Sequence, residues 1–414
     1  MAGTRAGAGT NWAGNIEFSA RSVHRPVEVE QLQELVAGSD RIRALGTGHS
    51  FSPIADTTGD QVCTADLPPR IEVDRERAMV TVAAGVRFGE LAPVVHRAGL
   101  ALRTLGSLPH ISVAGACATG THGSGDRCGT LASSVRAVEL VRADGSLERV
   151  RRGDPDFPGS VLALGCAGIV TALTLDLVPS FDVRQWVYEQ VPTDDLGGIL
   201  AAAYSVSAFT SFAAPVFEQV WLKRLATAGE PDPAWRGAHR ADGPRHMTRG
   251  VPAEHTTEQG GVPGPWHQRL PHFRPEFAPS FGDELQSEYL VGREHADAAL
   301  AALTAIADRI APVLHGCEIR SVAADELWLS SVYRRDSVAL HFTWLADVAA
   351  VTPVVTEIER VLDPFAARPH WGKVFTTDPA TVRARFPRLP NAVALFHRVD
   401  PTGKFRNPMV DRYL

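Results

Sequence analysis

Gly106-Ser107-Leu108-Pro109-His110-Ile111-Ser112-Val113-Ala114-Gly115-Ala116-Cys117-Ala118-Thr119-Gly120-Thr121-His122-Gly123-Ser124-Gly125 is the stretch on which the reading of this chain turns. Its glycines and small residues let backbone approach a ligand closely, and its hydroxyls and N–H groups suit the anionic oxygens of a phosphate or pyrophosphate. An earlier run, Arg43-Ala44-Leu45-Gly46-Thr47-Gly48-His49-Ser50-Phe51-Ser52, has the same character and adds a histidine. Glycine and serine clusters are ordinarily plain turns, but two such runs close together suggest one extended, bulky cofactor. Neither run ends in Gly-Lys-Ser/Thr, and Gly46-Thr47-Gly48 lacks the third glycine of a dinucleotide-binding turn. That argues against a Walker loop or a nicotinamide Rossmann domain, and for a cofactor held by many backbone contacts.

With 414 residues, 44% hydrophobic and 21% charged, the chain has an ordinary globular composition and the length for about two or three domains. A net charge of −6 argues against nucleic acid or an anionic membrane as the main partner. No apolar run is long enough to span a bilayer, and residues 1–14 lack the apolar core of a signal peptide, so the expected location is cytoplasmic. Cys63, Cys117, Cys128, Cys166 and Cys317 include no Cys-x-x-Cys pair, which supports neither a disulfide framework nor a zinc site.

In chain order, periodicity predicts helices over 27–37 and 86–98, strands over 41–45 and 78–84, and a hairpin over 135–151 turning at Ala143-Asp144-Gly145-Ser146. A further strand within 164–178 completes an α+β unit to about residue 179. Beyond it, strands are expected over 187–191, 216–222 and 285–290, and helices over 196–206, 294–311 and 351–361. This mixture suggests an antiparallel sheet with helices on one side. Residues 229–282, dense in proline, glycine and histidine, read as a long irregular connection. Its His239, His246, His255, His267 and His272 show no metal-ligand spacing, and no metal site is expected.

Two short segments carry a polar face. In 337–344 alternation sends Val338, Leu340, Phe342 and Trp344 one way and Ala339, His341 and Thr343 the other; in 317–320 Glu318 and Arg320 oppose Cys317 and Ile319. Such a face commonly meets solvent. Trp371-Gly372-Lys373 adds a lysine where backbone can come close to a ligand. Together Glu318, Arg320, His341, Thr343 and Lys373 fit a neutral polyhydroxylated molecule, whose hydroxyls need both acceptors and donors. Oxidising one hydroxyl requires a proton acceptor beside a hydride acceptor.

On the runs at 46–51 and 106–115, and on Val262-Pro263-Gly264-Pro265-Trp266-His267, Gly316-Cys317-Glu318-Ile319-Arg320, Trp371-Gly372-Lys373 and Asp400-Pro401-Thr402-Gly403-Lys404-Phe405-Arg406-Asn407-Pro408, the chain resembles the flavin-dependent alditol oxidases, also called xylitol or sorbitol oxidases, of the vanillyl-alcohol-oxidase type. The resemblance runs from about residue 11 to the end. It implies an α+β fold of two domains, a PCMH-type FAD-binding domain over 11–179 and a substrate cap over 180–370 built on an antiparallel sheet flanked by helices. A segment over 371–414 would return to the flavin side.

The resemblance also implies FAD lined by Gly46, Thr47, Gly48, His49, Ser50, Ser107, Ser112, Gly115, Thr119, His122 and Val170, with His49 bonded covalently to the flavin ring. Ser107, Glu318, Arg320, Thr343 and Lys373 would bind the polyol, with His341 beside them. Catalysis would fall to Lys373, Arg320, Glu318 and His341, Lys373 taking the proton and Arg320 stabilising the alkoxide. Dioxygen would reoxidise the flavin to give hydrogen peroxide, with Gly106 leaving it space. The partners expected are thus a polyol and O2, and the expected state is a monomer. The alternatives are an aldonolactone oxidase, which would share the FAD domain, and a flavin- or polyol-binding protein without turnover.

Overall fold

The computed structural model describes residues 9–248, 250–277 and 284–414; the expectations for 1–8, 249 and 278–282 lie outside the described residues. Two bodies of sheet and helix pack around separate apolar cores. In the first, β1 (Ser22–His24), β2 (Ile42–Leu45) and β3 (Asp60–Cys63) form a parallel sheet in the order β1-β3-β2. Helix α1 (Val29–Gly38) buries Leu32 and Val36 in a cluster with Ile42 and Val62.

Beside it stands an antiparallel sheet of β4 (Ile71–Asp74), β5 (Met79–Ala83), β6 (Val135–Val141), β7 (Leu147–Arg151) and β8 (Ile169–Asp176), ordered β4-β5-β8-β6-β7. Its inward Val80, Val82, Val138 and Leu173 meet α2 (Phe88–Arg97), whose Phe88, Leu91, Ala92 and Val95 recur at helical spacing on one face. Helix α3 (Val113–Thr119) grows out of the glycine-rich run and stops at Gly120, which adopts φ +81°.

The second body is a sheet of nine strands among the described residues. Its long strands are β9 (Asp182–Pro192), β10 (Ser205–Thr210), β11 (Val216–Leu225), β12 (Glu284–Gly292), β13 (Leu314–Val322) and β14 (Ser337–Leu345), in the antiparallel order β9-β11-β10-β13-β14-β12. One face, with Leu222, Ile319, Leu340, Phe342 and Trp344, is covered by α4 (Leu196–Leu200), α5 (Ala296–Thr304) and α6 (Val348–Leu362). The other face turns toward the first body.

Two helix expectations are corrected. The one over 196–206 ends at Leu200, because the alternating Ser205-Val206-Ser207-Ala208-Phe209-Thr210 pairs with β11 and β13 and sends Val206 and Ala208 into the core. The one over 294–311 breaks after Thr304, where Ile306 leaves helical geometry at φ −117°, ψ 20° and a separate short turn of helix, Ala307–Ile310, follows.

The chain's end returns to the first body. Helices α7 (Pro379–Arg385), α8 (Leu389–Val399) and α9 (Pro408–Tyr413) place Val382, Phe386, Leu395 and Val410 in the core of α2 and α3. Arg43, just before the glycine loop, is buried and donates to the carbonyls of Leu164 and Phe405. Asn407 is 1% exposed. Its Nδ2 reaches the carbonyls of Pro53, Ile54 and Asp56 at 3.0, 3.2 and 2.9 Å, while its Oδ1 caps α9 through the Val410 N–H at 2.9 Å. Asn407→Ala should therefore cost about 3 kcal/mol of folding free energy, combining a lost cap with abandoned buried carbonyls. Urea titration checks this, and a loss well under 1 kcal/mol would contradict it.

Candidate active site

Between the two bodies lies a cavity of about 870 Å³. One wall is the glycine loop that leaves β2. A Cβ at Gly46 would fall 2.6 Å from Ser112 Oγ, so glycine lets this loop lie against the start of α3 without displacing that hydroxyl; Gly48 sits at φ +69°, a conformation glycine adopts freely. The N–H groups of Thr47, Gly48, His49 and Ser50 find no acceptor among the described residues, leaving donors for whatever fills the cavity. His49 stacks near Trp12, with ring centroids 5.0 Å apart. Burial, helped by His110 and Arg87, lowers its pKa to about 4, so its ring is neutral.

The opposite wall is the polar sheet face, and it is buried, not solvated. Pairing puts Glu318 and Glu288 on either side of His341 in one row across β13, β14 and β12, with Thr343 in the next row beside Gln286. The residues expected at the site all line this one cavity, from Gly46 through Val170 and from Glu318 through Lys373. A Cβ built on Gly106 would meet Thr121 Cγ2 at 3.4 Å, an ordinary contact.

Three residues that sequence reasoning missed complete the cluster. Glu288, 2% exposed, holds Lys373 Nζ at 2.9 Å, Arg320 Nη2 at 3.2 Å and His122 Nε2 at 3.0 Å. The alternation that found Glu318 is present here too, since Leu285 and Tyr289 face the core opposite Gln286 and Glu288. His272, from the histidine-rich connection, lies with Nε2 2.7 Å from Glu318 Oε1; no spacing within that connection signals it. His370 accepts the Gly372 N–H at 3.1 Å and orients the turn before Lys373. Lys373 Nζ is also 3.1 Å from His341 Nε2, and Arg320 Nη1 is 3.3 Å from Ser107 Oγ.

The electrostatics follow from this packing. Burial alone would raise both carboxyls, but Lys373 and His122 outweigh it at Glu288, as Arg320 and His272 do at Glu318, so both stay well below the usual range and ionised. Burial drives the imidazoles the other way, His341 far below its ordinary value, His272 to about 4 and His370 to about 3. Lys373 is lowered by burial first; Glu288 opposes that shift and Arg320 adds to it. The result is a buried surface of fixed charge flanked by neutral rings, able to hold hydroxyls and to move one proton.

Comparison with known proteins agrees with the geometry. Residues 20–151 match an FAD binding domain and residues 283–413 match the D-arabinono-1,4-lactone oxidase family. An alditol oxidase from a Streptomyces species is 54% identical over 96% of this chain and 97% of its own length. An L-gulono-1,4-lactone dehydrogenase of Mycobacterium tuberculosis is 26% identical over 98% of each chain. Among solved structures, cholesterol oxidase from B. sterolicum superposes with a TM-score of 0.80 at 17% identity, covering 99% of this chain and 96% of the other. Xylooligosaccharide oxidase from Myceliophthora thermophila gives 0.72 at 14% identity, over 96% and 93%. The fold is that of the two-domain VAO/PCMH-type flavoproteins. Among the described residues no helix is long and apolar enough to cross a membrane. The Gly46 cradle and the unpaired amides of 47–50 fit the pyrophosphate of FAD. The chain belongs to the alditol oxidase family of FAD-dependent oxidoreductases.

Proposed function

We propose that the chain oxidises the terminal primary alcohol of a linear polyol, such as xylitol or sorbitol, to the aldehyde, with dioxygen reduced to hydrogen peroxide. The observation that carries this reading is the buried sheet face where Glu318, Arg320, His341 and Thr343 stand together beside Lys373. A sugar alcohol presents a row of hydroxyls, each both donor and acceptor, and this surface alternates carboxylate, guanidinium, imidazole and hydroxyl to meet them. A much stronger likeness to an alditol oxidase than to an aldonolactone dehydrogenase favours it over the lactone reading.

In this reading residues 11–179 hold FAD, 180–370 cap the substrate, and 371–414 return to supply Lys373. Gly46 to Ser50, Ser107, Ser112, Gly115, Thr119, His122 and Val170 would hold the cofactor. His49, its ring neutral, would be the residue bonded to the flavin. When bound, FAD would supply a hydride acceptor that passes its electrons on to dioxygen. Glu318 accepts hydroxyl protons in hydrogen bonds while Arg320, Thr343 and Ser107 fix the chain of the polyol. In its deprotonated form Lys373 takes the proton of the reacting hydroxyl and returns to the ammonium that Glu288, 2.9 Å away, compensates. Arg320 stabilises the alkoxide as it forms.

Xylitol and sorbitol should each yield peroxide at least about tenfold faster, in kcat/KM, than a gulonolactone assayed beside them; the reverse order would favour the aldonolactone alternative. Lys373→Met should slow flavin reduction at saturating xylitol by about a thousandfold, while Glu318→Gln should mainly raise KM. The rate should rise with pH through an apparent pKa below that of free lysine, because only the neutral amine accepts the proton, and Glu288→Gln should move that pKa lower by removing the opposing carboxylate. Stopped-flow reduction across pH reads all of these; full rates in Lys373→Met would refute the assignment. Acid-precipitated protein should stay yellow, and His49→Ala should lose that colour; wild-type protein that releases its flavin would refute the tether.

A further inference from the structure

Behind Glu318, away from the cavity, the structure holds a further buried cation. Lys223 lies on β11 between Gln185 of β9 and Ser205 of β10, 1% exposed. The residues around it place its side chain on the cavity face of the sheet, since Val220 and Leu222 take the helix-covered face. There the segment before Phe273 folds over it, anchored where the His272 N–H donates to the Ser107 carbonyl at 3.1 Å.

Its Nζ has three acceptors: the Leu270 carbonyl, the Pro271 carbonyl at 3.2 Å and His272 Nδ1 at 3.0 Å. An ammonium has three N–H donors and no acceptor, so this set is complete. It also dictates the ring. A partner that only donates requires a lone pair on Nδ1, and the single proton of the neutral imidazole must then sit on Nε2. Nε2 is 2.7 Å from Glu318 Oε1, with Ser207 Oγ a weaker neighbour at 3.4 Å. Trp221 and Phe209 stand edge-on to the ring at 5.0 and 5.9 Å and fix its plane.

We propose that Lys223 is a positioning residue for polyol oxidation: it keeps Nδ1 of His272 unprotonated, so that the ring stays neutral with its one proton on Nε2, and through that ring holds Glu318 as an oriented carboxylate acceptor in the substrate cavity. This rests on the reading of Glu318 as a hydroxyl acceptor. The chain Lys223, His272, Glu318 runs from a site with no access to substrate to one that lines the cavity, so its first member acts only through the others. Burial lowers the Lys223 pKa to about 7, with Glu318 opposing and Arg320 adding to the shift. The tautomer is therefore best read at about pH 6, on the protonated side.

The test is nitrogen NMR of histidine-labelled holoenzyme at that pH, combined with flavin-reduction kinetics on xylitol. Wild-type His272 should show a neutral ring with its proton on Nε2. Lys223→Met, which keeps length and loses the donors, should let Nδ1 take up a proton and raise the share of doubly protonated ring, because the cation that opposes it is gone while Glu318 remains, with KM for xylitol raised about tenfold or more and the limiting reduction rate changed by less than about threefold. A wild-type ring that is Nδ1–H or doubly protonated would overturn the proposal, as would a variant with unchanged ring state and KM. If the variant fails to fold, the wild-type spectrum still decides. Because that spectrum needs no substrate, a wild-type chain inactive on every polyol would refute the role given to Glu318 without altering the ring state observed.

Discussion

Glu288 is the constraint around which the site is assembled. A carboxylate this deeply buried is tolerable only when fully compensated, since desolvating an ion costs far more than one contact returns. Its partners come from three distant parts of the chain: His122 from the glycine-rich run, Arg320 from β13 and Lys373 from the segment returning to the first body. Remove the charge and three cationic or polar groups are left facing one another without a counter-charge. The carboxylate therefore does more than set the basicity of Lys373. It ties the nine-stranded sheet to the glycine-rich run of the first body and to the segment that carries Lys373.

The rings around this centre are as informative as the ions. His341, His272 and His370 are all pushed toward neutrality by burial, so the surface carries its charge on two carboxylates, a guanidinium and the lysines. Neutral imidazoles can donate on one nitrogen and accept on the other, and they suit a substrate that is itself uncharged. Fixed ions supply orientation, and the rings between them keep like charges apart.

Much of this is legible in the amino-acid sequence alone. Period-two alternation in 317–320 and 337–344 places Glu318, Arg320, His341 and Thr343 on one face, and the two glycine runs mark the cofactor wall, because side-chain direction in a strand and close approach in a glycine turn are local properties. Glu288 obeys the same alternation, but its importance depends on β12 lying next to β14, a pairing between segments separated by α5 and β13. His272 has no periodic signal at all: it reaches Glu318 from an irregular connection whose course is set by tertiary contacts such as those of Lys223. The strand Ser205–Thr210 is hidden for the same reason, its fate decided by the neighbours β11 and β13 and not by its own propensity.

The tie between Arg43 and the carbonyl of Phe405, with Asn407 clasping 53–56, joins segments far apart in the chain. The sheets of the first body can collapse early from their own neighbours, but the loop that leaves β2 gains its rear support only once residues 400–407 have packed behind it. A chain cut before Phe405 would keep most of the first body's sheet contacts and lose that backing, so its glycine loop would be the first part to loosen.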